Sequence, residues 1–127
     1  MQELQLYEYA VIRVVPKVER EEFLNVGLIL FCKRAKKIKV RFTINELRLA
    51  AFAPEIDINQ LRSNLDSFVK IGEGLPVGGP IAKFDVPERF RWLTAIRSSV
   101  IQTSRPHPGM TAELDKTFER LFEDLVL

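Results

Sequence analysis

The sequence predicts an α+β fold, with a mainly antiparallel sheet of about four strands and helices packed on it. Three observations lead to this prediction. The first third of the chain is rich in β-branched and aromatic residues, a strictly alternating segment follows it, and later segments repeat apolar residues at helical spacing. A length of 127 residues suits one hydrophobic core better than two, so we expect residues 1–127 to form a single domain.

The first three predicted strands are close together in the chain. Residues 7–15 are apolar and β-branched and end at Pro16. After a charged turn or loop, residues 26–32 are apolar at nearly every position, which predicts a central strand with both faces covered. Residues 36–43 alternate cations with apolar side chains, which predicts a half-buried strand joined to the previous one by a hairpin.

Two helices are predicted in the middle of the chain. Asn45 is a suitable cap for a short helix that ends near Phe52. Asp57 caps the next helix, with Gln60 completing a capping box and Gly72 ending the helix. We expect residues 72–80 to form a connecting loop.

The last part of the chain predicts a helix, a strand and a final helix. Asp85 caps the first of these, with Pro87 in the first helical position. Residues 97–103 are predicted to form the fourth strand, and the proline-rich residues 106–109 to break the chain. The last helix is expected to open at Thr111 or Ala112. Its apolar side chains form one stripe: Leu114, Phe118, Leu121, Phe122 and Leu125.

Composition limits the compartment and the partners. The formal net charge of +2 is too small to drive non-specific binding to nucleic acid by itself. Cys32 is the only cysteine, so no disulfide forms within the chain, which suits a reducing compartment. The first residues lack the basic and apolar pattern of a secretory signal. We therefore expect a cytoplasmic protein.

No residue pattern predicts a metal, a cofactor or a catalytic set. One His and one Cys give no zinc spacing. The glycines of residues 72–80 match neither the dinucleotide-binding nor the phosphate-loop pattern. His107 has no nucleophile motif beside it. The sequence therefore favours a non-catalytic protein and assigns no catalytic residue. An enzyme acting on a phosphorylated or nucleotide substrate, with His107 as acid or base, is the remaining catalytic alternative.

Residues 88–109 hold the densest polar side chains, together with Trp92 and His107, the only Trp and His of the chain. Guanidinium groups bind carboxylates and phosphates in a bidentate way, so this segment predicts a site for a protein partner or an anionic group. The alternative is an internal polar network. The candidate binding residues are Arg13, Arg20, Arg89, Arg91, Arg97, Ser99, Gln102 and His107.

A basic hairpin offers a different function, nucleic-acid binding. If every cation in it contacted a DNA phosphate, the logarithm of the binding constant would fall with the logarithm of salt concentration at a slope of about −5. The alternative is a solvated hairpin whose lysines protect a sheet edge. The hairpin lies in residues 33–41, and its cations are Lys33, Arg34, Lys36, Lys37, Lys39 and Arg41.

Two blocks of the sequence carry a family resemblance. Residues 9–32 contain YAVIRVVP and EREEFLNVGLILFC, and residues 88–102 read ERFRWLTAIRSSVIQ. Both blocks resemble an uncharacterised bacterial family, domain of unknown function 3037, although Ile96 stands where the resemblance leads us to expect proline. The resemblance implies no activity. It implies a partner role, because such proteins are encoded beside a kinase-like protein of the HipA type.

Overall fold

The computed structural model describes residues 3–75, 78–95 and 99–127. Within these residues the chain forms five strands, four α-helices and two short 3₁₀ turns. The strands are β1 (Gln5–Val14), β2 (Leu24–Cys32), β3 (Lys37–Phe42), β4 (Ile101–Thr103) and β5 (His107–Thr111). The helices are α1 (Glu46–Phe52), α2 (Ile58–Glu73), α3 (Val86–Leu93) and α4 (Leu114–Leu125). The 3₁₀ turns are Val18–Arg20 and Pro80–Lys83.

The sheet is antiparallel between every pair of neighbouring strands. Its order is β3-β2-β1, and both β4 and β5 pair with the free side of β1. β4 lies beside the end of β1, and β5 lies beside its beginning. The α+β prediction is therefore confirmed. The prediction of about four strands agrees with this sheet, in which β5 is an additional short strand.

The additional strand β5 contains the residues that were expected to break the chain. Pro108 pairs with Glu8, and Gly109 pairs with Tyr7. A strand at a sheet edge tolerates proline, because only one of its sides needs N–H donors. Gly109 is required by packing, since a Cβ there would overlap the ring of Tyr7. The prediction of a chain break over residues 106–109 is wrong for residues 107–109, whereas Pro106 lies in the interruption between β4 and β5.

Ser104 joins β4 and β5 to one continuous edge. Its backbone N–H donates to the carbonyl of Val11, and the N–H of Val11 donates to Oγ of Ser104. The hydroxyl in turn donates to the carbonyl of Arg105. Ser104 is buried, so these bonds satisfy backbone groups that the interruption between the two strands would otherwise leave unpaired.

Helices cover both faces of the sheet. On one face, α1, α2 and α3 contribute to a core around Ile12, Ile29 and Leu65. On the other face, α4 packs Phe118 and Phe122 in a second core. Strand β2 lies between β1 and β3, and its residues from Val26 to Cys32 are buried. The prediction of a central strand with both faces covered is confirmed.

The caps explain where the helices begin. Asn45 accepts from the N–H of Arg48, and Asp57 accepts from the N–H groups of Asn59 and Gln60. Asp85 accepts from the N–H of Glu88. Side-chain acceptors at these positions satisfy N–H groups that have no partner within the helix.

Two details at the ends of α2 differ from the prediction. The amide of Gln60 donates to Oδ1 of Asn64, so it does not return to close a capping box. Gly72 lies inside α2, and the helix ends at Gly74 in the left-handed conformation. A Cβ at Gly72 would overlap Val40. Gly72 therefore allows close packing of α2 on β3 and does not terminate the helix.

Three predicted starts are also corrected. The fourth strand begins at Ile101; Ser99 and Val100 form a bend. The predicted part before Ser99 lies outside the described residues. Pro87 occupies the second helical position, after Val86. The last helix begins at Leu114, because the hydroxyl of Thr111 accepts from the N–H of Glu113 and holds the preceding turn.

Candidate functional site

A groove runs beside α2 at the end of the sheet where β1 finishes and β4 begins. Its volume is about 690 Å³. One wall is α2 with the loop that precedes it, and the other is formed by Trp92 of α3, Pro16 and the bend that leads into β4. The lining residues are Pro16, Glu55, Ile56, Asp57, Gln60, Leu61, Asn64, Ser67, Phe68, Ile71, Trp92, Ser99, Val100 and Ile101.

The α2 wall follows directly from the helix sequence. Leu61, Phe68 and Ile71 form the floor and are buried, whereas Asn64 and Ser67 stand at the rim and are exposed. The lining residues of α2 extend over residues 57–71, which is about 21 Å at 1.5 Å per residue. The groove therefore has an apolar floor and a row of hydrogen-bonding side chains along one rim.

The opposite wall presents exposed apolar surface. Trp92 is 37% exposed and Val100 is 42% exposed, so the two apolar side chains are open to solvent on the same wall. The hydroxyl of Ser99 donates to the carbonyl of Ile101, and the amide of Gln102 donates to the carbonyl of Ser99. These two bonds fix the bend that places Val100 in the groove.

The described arginines do not converge on this groove. Arg89 donates from Nη1 to the carbonyl of Phe84 at 2.7 Å and packs against Gly74, so it links α3 to the preceding turn. Arg91 is exposed on α3. Neither side chain lines the groove. Arg97 lies outside the described residues, as does Ile96.

Arg13 lies on the opposite face of the sheet. Its neighbours Ile12 and Val14 belong to the core under α2, and the alternation of β1 directs Arg13 toward the side of α4. Its guanidinium stacks on Phe23 at 3.9 Å from the ring centroid. Burial lowers the pKa of Arg13. Its Nε has no hydrogen-bond partner among the described residues, so this side chain is held mainly by its aromatic contact.

The remaining candidates are also dispersed. Arg20 forms an ion pair with Glu22 and lines a smaller hollow of about 360 Å³ next to the groove. His107 lies in β5, and its ring contacts that of Tyr9 at a tilt of 34°, with centroids 5.3 Å apart. Because Arg13 and Arg89 occupy opposite faces of the sheet, they do not bind one small anion together. Of the seven candidates that lie among the described residues, Ser99 is the one that lines the groove.

The basic strand β3 meets an acidic face of α4. Lys37 donates to Asp115 at 2.7 Å, and Arg41 makes two hydrogen bonds to Glu119 at 2.7 and 2.8 Å. Lys39 lies between these pairs, 4.0 Å from Asp115 and 3.8 Å from Glu119. The three β3 cations among the six proposed for nucleic acid are therefore paired with carboxylates of α4.

Aromatic rings below these pairs also contribute to the contact between β3 and α4. We call this contact of cations, carboxylates and rings the seam between β3 and α4. Lys39 and Arg41 lie over the ring of Phe118 at 4.7 and 5.2 Å from its centroid, and Arg41 lies equally far from the ring of Phe122. The hydrogen bond from Lys37 lowers the pKa of Asp115, and the hydrogen bond from Arg41 lowers that of Glu119. Cations, carboxylates and rings together fix α4 on the sheet.

The other three hairpin cations lie in the turn between β2 and β3. Arg34 pairs with Glu3 at 2.8 Å. Lys33 and Lys36 are exposed, and neither has a carboxylate within 4 Å among residues 3–75, 78–95 and 99–127. The sequence prediction treated these cations and those of β3 alike, but the cations of the turn are not held against α4.

The polar rim of the groove was not predicted from the sequence. Gln60, Asn64 and Ser67 recur at intervals of four and three residues, directly beside the apolar stripe of α2. A polar row of this kind beside a buried stripe could have indicated the rim of a groove. The row forms a rim only because Trp92 and Val100, which are distant in sequence, build the opposite wall.

None of the described helices has the length and apolar character needed to cross a membrane. Among the described residues, no three His, Cys, Asp or Glu side chains are grouped as metal ligands would be.

The comparison with known families gives one match. A family model described as a protein of unknown function, DUF3037, matches residues 9–126. The chain belongs to the DUF3037 family. The resemblance of residues 9–32 and 88–102 is thus confirmed. No curated protein and no solved structure matches the chain.

Proposed function

We propose that this DUF3037 protein is a non-catalytic, cytoplasmic binding module, and that its groove holds an apolar segment of a protein partner. The observation that carries the proposal is the exposure of Trp92 and Val100 on the wall of a groove of about 690 Å³. Exposed large apolar side chains gathered in a concave surface are typical of interaction sites, and Trp is enriched among the residues that dominate binding energy.

The shape of the groove favours a polypeptide segment. It follows α2 for about 21 Å, whereas a compact cofactor needs a rounder cavity. An extended segment of about six residues, at 3.3 Å per residue, has the matching length. Its side chains would contact Phe68, Trp92 and Val100. Its backbone would reach the amides of Gln60 and Asn64 along the rim.

The chemistry of the lining favours an apolar anchor over an anion. Among residues 3–75, 78–95 and 99–127, the lining contains Glu55 and Asp57 but no Lys, Arg or His. A phosphate or carboxylate would meet no cation of these described residues there. The sequence predicted a site for either a protein partner or an anionic group. The described lining of the groove supports the protein partner and does not support the anionic group. The kinase-like protein of the HipA type, implied by the resemblance, is the first partner to test.

The test is co-purification of the partner with the tagged protein and two variants, after nuclease treatment and a wash at moderate salt. Val100→Ser removes an exposed apolar contact in the groove. Leu47→Ser removes an apolar side chain that is 87% exposed on α1, away from the groove. We expect one stoichiometric protein with the native chain and with Leu47→Ser, and at least tenfold weaker binding with Val100→Ser. Equal recovery by both variants would contradict the proposal.

A further inference from the structure

A second apolar surface lies at the opposite end of the sheet. On the face covered by α1, α2 and α3, the β1 residues Ala10, Ile12 and Val14 are fully buried. Earlier in β1, on the same face, Leu6 is 59% exposed, and its cross-strand partner Met110 is 57% exposed. The helices therefore stop short of this end of the sheet.

These side chains form a hollow together with basic residues. Leu4 is 58% exposed, and it lines a hollow of about 570 Å³ with Leu6, Met110, Lys33 and Arg34. We call Leu4, Leu6 and Met110 the Leu6 patch. Lys36 follows in the same turn. Glu3 pairs with Arg34, and Glu8 lies on the same face of β1 as Leu6. The three cations Lys33, Arg34 and Lys36 outnumber these two carboxylates, so the charge beside the patch is positive.

The edge of β5 is not a surface for another strand. Pro108 lies within β5 and Pro106 immediately before it. Prolines at a sheet edge remove donors and oppose the addition of a further strand. A partner at this end therefore packs on the face of the sheet, where the apolar side chains are, and does not extend its edge.

We propose that the Leu6 patch binds an acidic amphipathic α-helix of a partner protein. A helix is the element that covers the rest of this sheet face, and an apolar helix stripe fits an apolar sheet face. Carboxylates beside that stripe would pair with Lys33 and Lys36. A second copy of the chain in a symmetric contact is a poor occupant, because it would bring the two sets of lysines together. This surface is separate from the groove and does not depend on it.

The probe is a synthetic helix of roughly 15 residues, the length at which isolated helices begin to be stable, with Leu at helical spacing and Glu elsewhere. A twin peptide has Lys in place of Glu. Binding is followed by the amide NMR shifts of the full-length protein. We expect the Glu peptide to shift residues 4–6, 33–36 and 107–111, and to bind at least tenfold more tightly than the Lys peptide.

Variants separate the apolar from the charged contribution. Leu6→Ser is expected to weaken the Glu peptide about tenfold, and the exposed control Leu47→Ser is expected to leave its affinity unchanged. The double variant Lys33→Glu, Lys36→Glu should reverse the preference and bind the Lys peptide. This reversal also shows that the variant is folded.

Four outcomes would overturn the proposal. The first is no shift with either peptide, and the second is equal affinity for both. The third is a shift confined to the groove around Trp92 and Val100. The fourth is binding to phosphatidylserine vesicles without binding to the Glu peptide, which would identify a lipid surface as the occupant.

Discussion

The basic strand β3 and the polar segment 88–109 were both predicted as binding regions from the sequence, but their side chains have different surroundings in the structure. In β3, Lys37 and Arg41 are bonded to carboxylates of α4. In the polar segment, Arg89 is bonded internally, whereas Trp92 and Val100 remain exposed at a groove. A row of charged residues can therefore serve to hold two secondary-structure elements together. Exposed apolar side chains in a concave surface are the better indication of a binding site.

The largest expected effect breaks the seam between β3 and α4. Phe118 is fully buried beneath Lys39 and Arg41. Phe118→Ala should lower the free energy of unfolding by about 3–5 kcal/mol, since it leaves a cavity under α4. Urea denaturation followed by circular dichroism measures this change. Leu47→Ala is the control and should stay within about 0.5 kcal/mol of the native protein. A loss from Phe118→Ala as small as the control's would show that α4 is not part of the core.

The second effect tests whether the end of the polar segment belongs to the sheet. Gly109→Val places a side chain where the ring of Tyr7 lies. The resulting overpacking should cost about 1–3 kcal/mol of unfolding free energy. Thermal unfolding is the measurement, with the neighbouring exposed substitution Met110→Ala as the control. If Gly109→Val were as stable as Met110→Ala, the pairing of β5 with β1 would be in error.

A smaller effect concerns the acid dependence of the seam. Hydrogen bonds from Lys37 and Arg41 lower the pKa values of Asp115 and Glu119 in the folded state. A carboxyl with a lowered pKa stabilises the fold above its unfolded pKa, and this contribution is lost as the pH falls through the folded pKa. The loss is therefore expected below about pH 4.

The measurement is the melting temperature between neutral pH and pH 3, for the native protein and for the double variant Asp115→Asn, Glu119→Gln. The native protein should lose more stability than the variant over the acid part of this range. The difference should shrink at high salt, because the pairs are exposed to solvent. Parallel curves for the two proteins would show that these pairs do not contribute.

The smallest effect compares two arginines of α3. Arg91 is exposed, so Arg91→Ala should change the unfolding free energy by less than about 0.5 kcal/mol. Arg89 donates to the carbonyl of Phe84, so Arg89→Ala should cost about 1 kcal/mol. Urea denaturation of the two variants side by side resolves this difference. A larger loss of unfolding free energy from Arg91→Ala than from Arg89→Ala would show that Arg91 makes the structural contact.

Local signals predicted most of the fold. Asn45, Asp57 and Asp85 identify the helix starts because capping depends on residues within one turn. The alternation of β3 identifies its two faces because the side-chain period of a strand is local. The strand β5 was missed because its prolines suggest a chain break. Only the edge position beside β1 makes them acceptable.

The site was predicted less well because it depends on long-range contacts. Lys37 and Asp115 are separated by 78 residues, and no local pattern shows that they meet. The same holds for the groove, where Asn64, Trp92 and Val100 come from three separate elements. The sequence prediction placed the site in the segment that contains Trp92, and two parts of this segment, Trp92 and residues 99–101, line the groove. The prediction relied on the arginines of that segment, whereas in the structure its apolar side chains Trp92 and Val100 are the ones exposed in the groove.

The most direct test of the binding groove is site-specific photo-crosslinking in the source cell. A photoreactive phenylalanine analogue replaces Val100 in one protein and Leu47 in another, and the adducts are compared by mass spectrometry. We expect one discrete protein adduct from position 100 and none from position 47. No adduct at position 100, or the same adducts from both positions, would contradict the claim that this groove holds a protein partner.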